Sequence, residues 1–188
     1  WYLRFNGYFP LPNFILHDAR LLKQKGGQLS EVDLLAVRLP YTQEIIEGEG
    51  IEISPRADAD LDVRSGVMDF IIAEVKSKDC DFNWLHATEE KQRKIFQYAL
   101  RRFGWWRSDQ FITWIGNALI TDGCFCGQSV RSPELYERVR LLSIGVTLNE
   151  TLGVQQILFE DILDYVGHRL FPCYTCSGGR RIVVSDHH

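Results

Sequence analysis

Apolar and polar positions follow a period of two in some segments of the chain and a helical period in others. Gly7 to His17 (GYFPLPNFILH) is aromatic and β-prone, but Pro10 and Pro12 have no N–H to give to a ladder. That predicts a sheet edge, or a strand broken into two pieces. Gly26-Gly27 marks a turn, and Val32 to Leu39 (VDLLAVRL) predicts a second strand. Residues 40 to 68 carry Pro, Gly and an acidic excess, as a long loop or a small hairpin would, before a third strand from Phe70 to Lys76.

From Thr88 to Phe103 the period becomes helical. Thr88 suits an N-cap, Glu89-Glu90 suit the positive end of the dipole, and Ile95, Phe96, Ala99, Leu100 and Phe103 share one stripe. A second helix is predicted from Asp109 to Ile120, capped by Ser108 and ended near Gly123, although Phe111 to Ile115 also fits a strand. Ser132-Pro133-Glu134 reads as a helix start, Val139 to Val146 as a strand, Gln155 to Leu170 as an amphipathic helix and Arg181 to Val184 as a short last strand. Strands first, then helix and strand in alternation, predict an α/β fold: a mixed sheet flanked by helices.

No repeat, low-complexity tract or linker interrupts this order, so 188 residues with 45% hydrophobic content predict one domain with a substantial core. No apolar run approaches the roughly 20 residues of a membrane span, and no signal-peptide layout opens the chain. Its first residue, Trp1, suggests a piece of something longer. Five cysteines without a secretory signal favour a reducing, cytoplasmic setting over a disulfide framework. Cys124 with Cys126, and Cys173 with Cys176, form two close pairs that could clip a structural zinc ion. The single spacer in the first pair is shorter than zinc sites prefer, and unligated cysteines in and around turns are the simpler reading.

The third strand, DFIIAEVKS, is apolar for four residues and then sets an acid and a base two apart. Alternate side chains of a strand share a face, so Phe70, Ile72, Glu74 and Lys76 point one way. The second strand repeats the design, with Glu31, Asp33, Leu35 and Val37 on one face and Val32, Leu34 and Ala36 on its apolar back. If the two strands are neighbours, Asp33 and Glu74 converge on a hard cation, which takes one or two carboxylates and keeps several waters. Lys76 then sits beside them, placed to orient a water or offset developing negative charge. Such a set suits phosphodiester hydrolysis.

Asp33 followed by Glu74-Val75-Lys76 at the end of an apolar strand resembles the signature of the PD-(D/E)XK nuclease superfamily, which includes restriction endonucleases and Holliday-junction-resolvase-like proteins. The resemblance covers about residues 8 to 147, with 148 to 188 as a C-terminal extension. It implies a restriction-endonuclease-like core, a mixed four-stranded sheet flanked by helices. It also implies Mg2+- or Mn2+-dependent cleavage of nucleic acid, DNA first, with Asp33 and Glu74 as metal ligands and Lys76 assisting attack. Gln92 with Phe96 resembles the Gln-x-x-x-Tyr element of RecB-like members, which adds Gln92 to the site, with Phe in place of Tyr. Val32 stands where the name-giving Pro would be, and 41 positions separate Asp33 from Glu74. Asp62 is a rival ligand, but Asp33 lies in a patterned strand and Asp62 in a loop-like polar segment.

Net charge is a mild −4, and its distribution says more than its total. Residues 31 to 62 hold nine acids against Arg38 and Arg56, whereas 91 to 107 hold six basic residues and no acid. A basic helix beside a metal site predicts phosphate-backbone contacts from Lys91, Arg93, Lys94 and Arg101; a solvated helix face fits equally. Trp105-Trp106 suit stacking on bases or burial in the core. Glu31 reads as a strand-end surface acid, and His17 as a structural or capping residue before a catalytic one. The alternative to a nuclease, alone, as a homodimer or within a larger complex, is a non-catalytic nuclease-like module binding nucleic acid or protein in a defence or repair system.

Overall fold

The computed structural model describes residues 1–17, 28–42, 46–48, 51–53, 57–129 and 131–170. A short helix α1 (Tyr2–Phe5) precedes strands β1 (Phe9–His17), β2 (Gln28–Arg38), β3 (Ile46–Gly48), β4 (Ile51–Ile53) and β5 (Val67–Val75). A 3₁₀ turn (Asn83–His86) leads into helices α2 (Glu89–Arg102) and α3 (Asp109–Asp122). Strands β6 (Cys124–Gln128), β7 (Tyr136–Gly145) and β8 (Gln155–Leu158) and helix α4 (Phe159–Leu170) complete the order.

Six strands form one mixed sheet in the order β1-β2-β5-β7-β6, with β8 also on β7, while β3 and β4 pair as a separate hairpin. Adjacent pairs β1/β2 and β2/β5 are antiparallel and β5/β7 is parallel. One edge of β7 is shared: antiparallel β6 covers Tyr136 to Arg140 and parallel β8 covers Leu142 to Gly145. At the changeover the Leu141 N–H donates to the Gly123 carbonyl at 2.8 Å. Gly123 ends α3 in a left-handed conformation (φ 66°), and a Cβ there would lie 2.7 Å from the Gly153 carbonyl oxygen, so the turn needs glycine.

Helices cover both faces. On one, Ile95, Phe96, Ala99 and Leu100 of α2 and Ile112, Ile115 and Leu119 of α3 pack with Leu35, Phe70, Ile72, Val139 and Leu141 of the sheet. Phe70 lies with its ring centroid 4.7 Å from that of Trp106. Burying each such side chain contributes about 1.5–3 kcal/mol. On the other face Tyr2 and Leu3 of α1 and Phe159, Ile162 and Tyr165 of α4 pack against Ala36, Ile71, Ala73 and Leu142. Strand alternation therefore feeds two cores. It slips at Asp33: Val32, expected on the back with Leu34, packs in the same core as Leu35. The register puts Asn13 of β1 across from this point, and Asn13 has a left-handed φ of 52°.

Several expectations need correction. The sheet has six strands rather than four. Ser132 to Leu135 makes a single turn closed by Leu135 N–H to Ser132 C=O, because β7 begins at the next residue and leaves no room for a helix. Gln155 to Leu158 is a strand, drawn out of the predicted helix by the open edge of β7. Phe111 to Ile115 is helical, within an α3 whose Ser108 Oγ accepts the Phe111 N–H. Thr88 stands at the α2 N-cap position without a side-chain cap bond. Cys124 and Cys126 lie within strand β6, not at turns. Gly26-Gly27, Cys173, Cys176 and Arg181 to Val184 lie outside the described residues.

Candidate active site

Strand β5 turns from apolar to polar at its C-terminal end, where the α2/α3 core stops. Glu74 follows Phe70 and Ile72 on the core-facing side and is itself buried, and Lys76 follows as the strand ends. Lys76 Nζ lies 2.7 Å from Glu74 Oε2, and the same oxygen accepts the Asn83 N–H at 2.8 Å. Burial pushes the Glu74 carboxyl above the usual glutamate range; the Lys76 hydrogen bond, the Asn83 N–H and the Lys76 charge oppose this, and the nearby negative charge of Asp33 adds to it.

Asp33 reaches the same strand end from β2. The antiparallel register of Leu34 with Ala73 sets Asp33 opposite Glu74 one step on. The β2/β5 ladder stops at Leu34, and the Asp33 side chain takes over, its Oδ2 accepting the Val75 N–H at 2.7 Å. Asp33 Oδ1 and Glu74 Oε1 have no hydrogen-bond partner among the described residues. Glu74 is 3% exposed, and Asp33 is half-buried. Carboxylates with one oxygen free of a hydrogen bond among the described residues are the donor type that a hard cation takes. No group of three or more His, Cys, Asp or Glu placed to hold a metal occurs among the described residues.

Gln92, buried at the start of α2, donates its amide N–H to the Leu85 carbonyl at 2.7 Å. The 3₁₀ turn thus links the two: its Asn83 N–H binds Glu74 and its Leu85 carbonyl binds Gln92. Asp62, the rival acid, lies elsewhere. It accepts from Arg64 and Arg138 at 2.7 Å each, in a cluster where Arg138 and Arg140 also hold Asp69, on the opposite face of β5 from Glu74. His17 is exposed at the end of β1, and Glu31 is exposed on β2.

A cleft of about 410 Å³ opens beside the site, lined by Lys76, Ser77, Lys78, Asp79, Cys80, Asp81, His86 and Asn149. Within it His86 Nε2 lies 2.6 Å from Asp81 Oδ1, a pair that the sequence reading did not single out. Ser143 fixes Asp81 from both sides, accepting its N–H at 2.9 Å and donating to its carbonyl at 2.8 Å. Ser143 is the β7 neighbour of Glu74 in the parallel register. Burial acts to raise the Asp81 carboxyl, but the His86 hydrogen bond, the Phe82 N–H and the charges of His86 and Lys76 hold it below the usual aspartate range.

The basic helix is partly neutralised. Arg93 pairs with Glu89, Arg101 with Asp109 at 2.9 Å, and Lys91 and Lys94 complete the predicted set. Trp106 is buried and donates to Glu137, as does Trp105, which also lies under the Arg131 guanidinium; both indoles are core and packing elements. Cys124 is half-buried and Cys126 exposed, both as free thiols. No helix among the described residues is long and apolar enough to cross a membrane. No family model, curated protein or solved structure matches the chain.

Proposed function

We propose that the chain is a metal-dependent nuclease that hydrolyses phosphodiester bonds, with DNA as the first substrate to test. One observation carries the reading: Asp33 and Glu74, on neighbouring strands at one sheet end, each have one oxygen without a hydrogen-bond partner among the described residues, and Lys76 is ion-paired to Glu74. A mixed sheet flanked by helices, in which β1-β2-β5-β7 run as three antiparallel strands and a fourth parallel to β5, is compatible with the resemblance to PD-(D/E)XK nucleases. Asp33 and Glu74 would hold Mg2+ or Mn2+. Such an ion, when bound, acidifies a water and offsets charge on a phosphate oxygen.

The chain's own groups do the rest. Lys76 presents an ammonium beside the carboxylates, where it offsets negative charge that grows as the phosphorus takes a fifth oxygen. The Asn83 N–H and Lys76 orient Glu74, and the Val75 N–H orients Asp33, so both acids are set before substrate arrives. Gln92 supports the Asn83 turn through Leu85. Lys91, Arg93, Lys94 and Arg101 on α2 would follow the phosphate backbone, through contacts that salt weakens.

A second reading, a non-catalytic nucleic-acid- or protein-binding module, is favoured by the absence of a three-ligand metal group among the described residues. A cleavage screen over single-stranded, duplex and branched DNA and RNA, with Mg2+, Mn2+ or EDTA, separates the two. Metal-dependent cutting that is lost in Asp33→Ala, Glu74→Ala and Lys76→Ala supports the nuclease; cutting retained in all three rejects this site.

A further inference from the structure

We propose that the cleft beside Lys76 is a binding subsite for a phosphate group, held by Lys78, Asn149 and Ser77. Such a subsite needs neither a metal ion nor cleavage, so it stands or falls apart from the nuclease reading. The cleft, about 410 Å³, lies between the chain that leaves β5 and the loop that follows β7. Backbone hydrogen bonds fix its base: the Lys76 N–H donates to the Ile144 carbonyl, the Val146 N–H to the Lys78 carbonyl and the Cys80 N–H to the Thr147 carbonyl, at 2.8, 2.7 and 2.8 Å. Gly145 lets the two chains meet, since a Cβ there would lie 2.8 Å from both the Cys80 nitrogen and the Lys78 carbonyl oxygen.

Asn149 is the most firmly held donor of the lining. It is half-buried, its N–H donates to Gln156 Oε1 at 2.7 Å, and its carbonyl accepts Gln156 Nε2 at 2.8 Å and the Leu152 N–H at 3.0 Å. Its Oδ1 accepts the Thr151 N–H at 3.1 Å and the Thr151 hydroxyl at 2.8 Å, which fixes the orientation of the amide. Nδ2 is left with two protons and no partner among the described residues. The Lys78 ammonium and the Ser77 hydroxyl, both on exposed residues of the same lining, also have no partner among the described residues.

The acids of the lining each have an oxygen engaged inside the fold. Asp79 Oδ1 accepts the Thr147 hydroxyl, and Asp81 Oδ1 meets His86 Nε2 and the Phe82 N–H. Lys76 is taken by Glu74. An ammonium, an amide N–H and a hydroxyl are left facing one space, and Lys, Asn and Ser are residue types that donate to phosphate oxygens. A phosphate offers several anionic oxygens at once, so it can accept from all three, and a hydrogen bond to an ionised acceptor is about twice as strong as a neutral one.

The test uses the full chain, labelled with nitrogen-15, in EDTA and titrated with inorganic phosphate. The backbone signals of Ser77 and Lys78 and the side-chain amide of Asn149 are expected to shift along one saturating curve. Asn149→Asp keeps an oxygen for Thr151 but replaces the free amide with a second oxygen, and is expected to weaken phosphate binding by at least about 10-fold. Lys78→Gln is expected to do the same, and Lys78→Arg to retain binding. Thymidine oligomers with and without a 5′-phosphate identify the source of the group. Equal binding of the two marks an internal phosphodiester, tighter binding of the phosphorylated oligomer marks a strand end, and binding of inorganic phosphate alone marks the free ion. Signals of Ser77, Lys78 and Asn149 that stay unmoved, or binding that survives both Asn149→Asp and Lys78→Gln, overturn the subsite. Metal-dependent cleavage by a chain that binds no phosphate in this cleft overturns the subsite and leaves the nuclease reading standing.

Discussion

The Asp33 carboxylate accepts the Val75 N–H at 2.7 Å, so a side chain closes a ladder that its own backbone leaves open. One oxygen holds the fold, and the other has no hydrogen-bond partner among the described residues. Asp33→Asn keeps an acceptor for Val75 and is expected to change stability by less than about 0.5 kcal/mol, whereas Asp33→Ala loses about 1 kcal/mol with the hydrogen bond. Both should lose Mn2+ affinity and cleavage. Urea unfolding and calorimetry check this, and an Asn variant that binds Mn2+ like the native chain would remove Asp33 from the site.

Glu74 is buried and its partner Lys76 only partly so. Lys76→Met strands a carboxylate in an apolar setting and is expected to cost about 2 kcal/mol. Adding Glu74→Gln should return most of that stability while leaving cleavage absent. A double-mutant cycle by urea unfolding reads the coupling; additive effects would mean that the ion pair carries none.

The raised Glu74 pKa has a definite sign. The folded state binds this proton more tightly than the unfolded chain, so the associated stability is present at low pH and is lost as pH rises through the raised value. Relative to Glu74→Gln, the native chain should therefore lose stability as pH climbs above the ordinary glutamate range of about 4.3. Urea midpoints of both chains across that range test it; a native-minus-variant difference that rises with pH would contradict it.

Away from the site, Asp69 is 1% exposed and answers two buried guanidinium groups, Arg138 at 2.7 Å and Arg140 at 2.8 Å. Asp69→Asn leaves Arg140 without a counter-charge and Arg138 with Asp62 alone, and is expected to cost about 3 kcal/mol. Equilibrium unfolding measures it. A cost under about 1 kcal/mol would show that Tyr8 and Asp62 suffice to hold the arginines.

Strand β5 was legible because its alternation serves two apolar cores, and the break in that pattern at Glu74 stands out against it. Helix α2 was legible through its apolar stripe and α3 through Ser108 and Gly123 at its ends, although Phe111 to Ile115 also fitted a strand. Strand β8 was not, because Gln155 to Leu158 is extended only where β7 offers it an edge, a relation made by distant residues. The Asp81–His86 pair left no signal either, since its placement comes from Ser143, 62 residues along the chain from Asp81. The predicted strand from Val139 gave no sign of a partner for Arg138 or Arg140, because only the fold supplies Asp69 to both. The Val32 reading failed for a local reason, the slip of β2 beside Asn13.

Strand β1 forms one border of the sheet, and it carries Pro10 and Pro12 at alternate positions. Two pyrrolidine rings there deny an incoming strand the donors it would need, which caps the sheet against growth on that side. If two molecules combine to sever both strands of a duplex, they must meet through some surface other than this border.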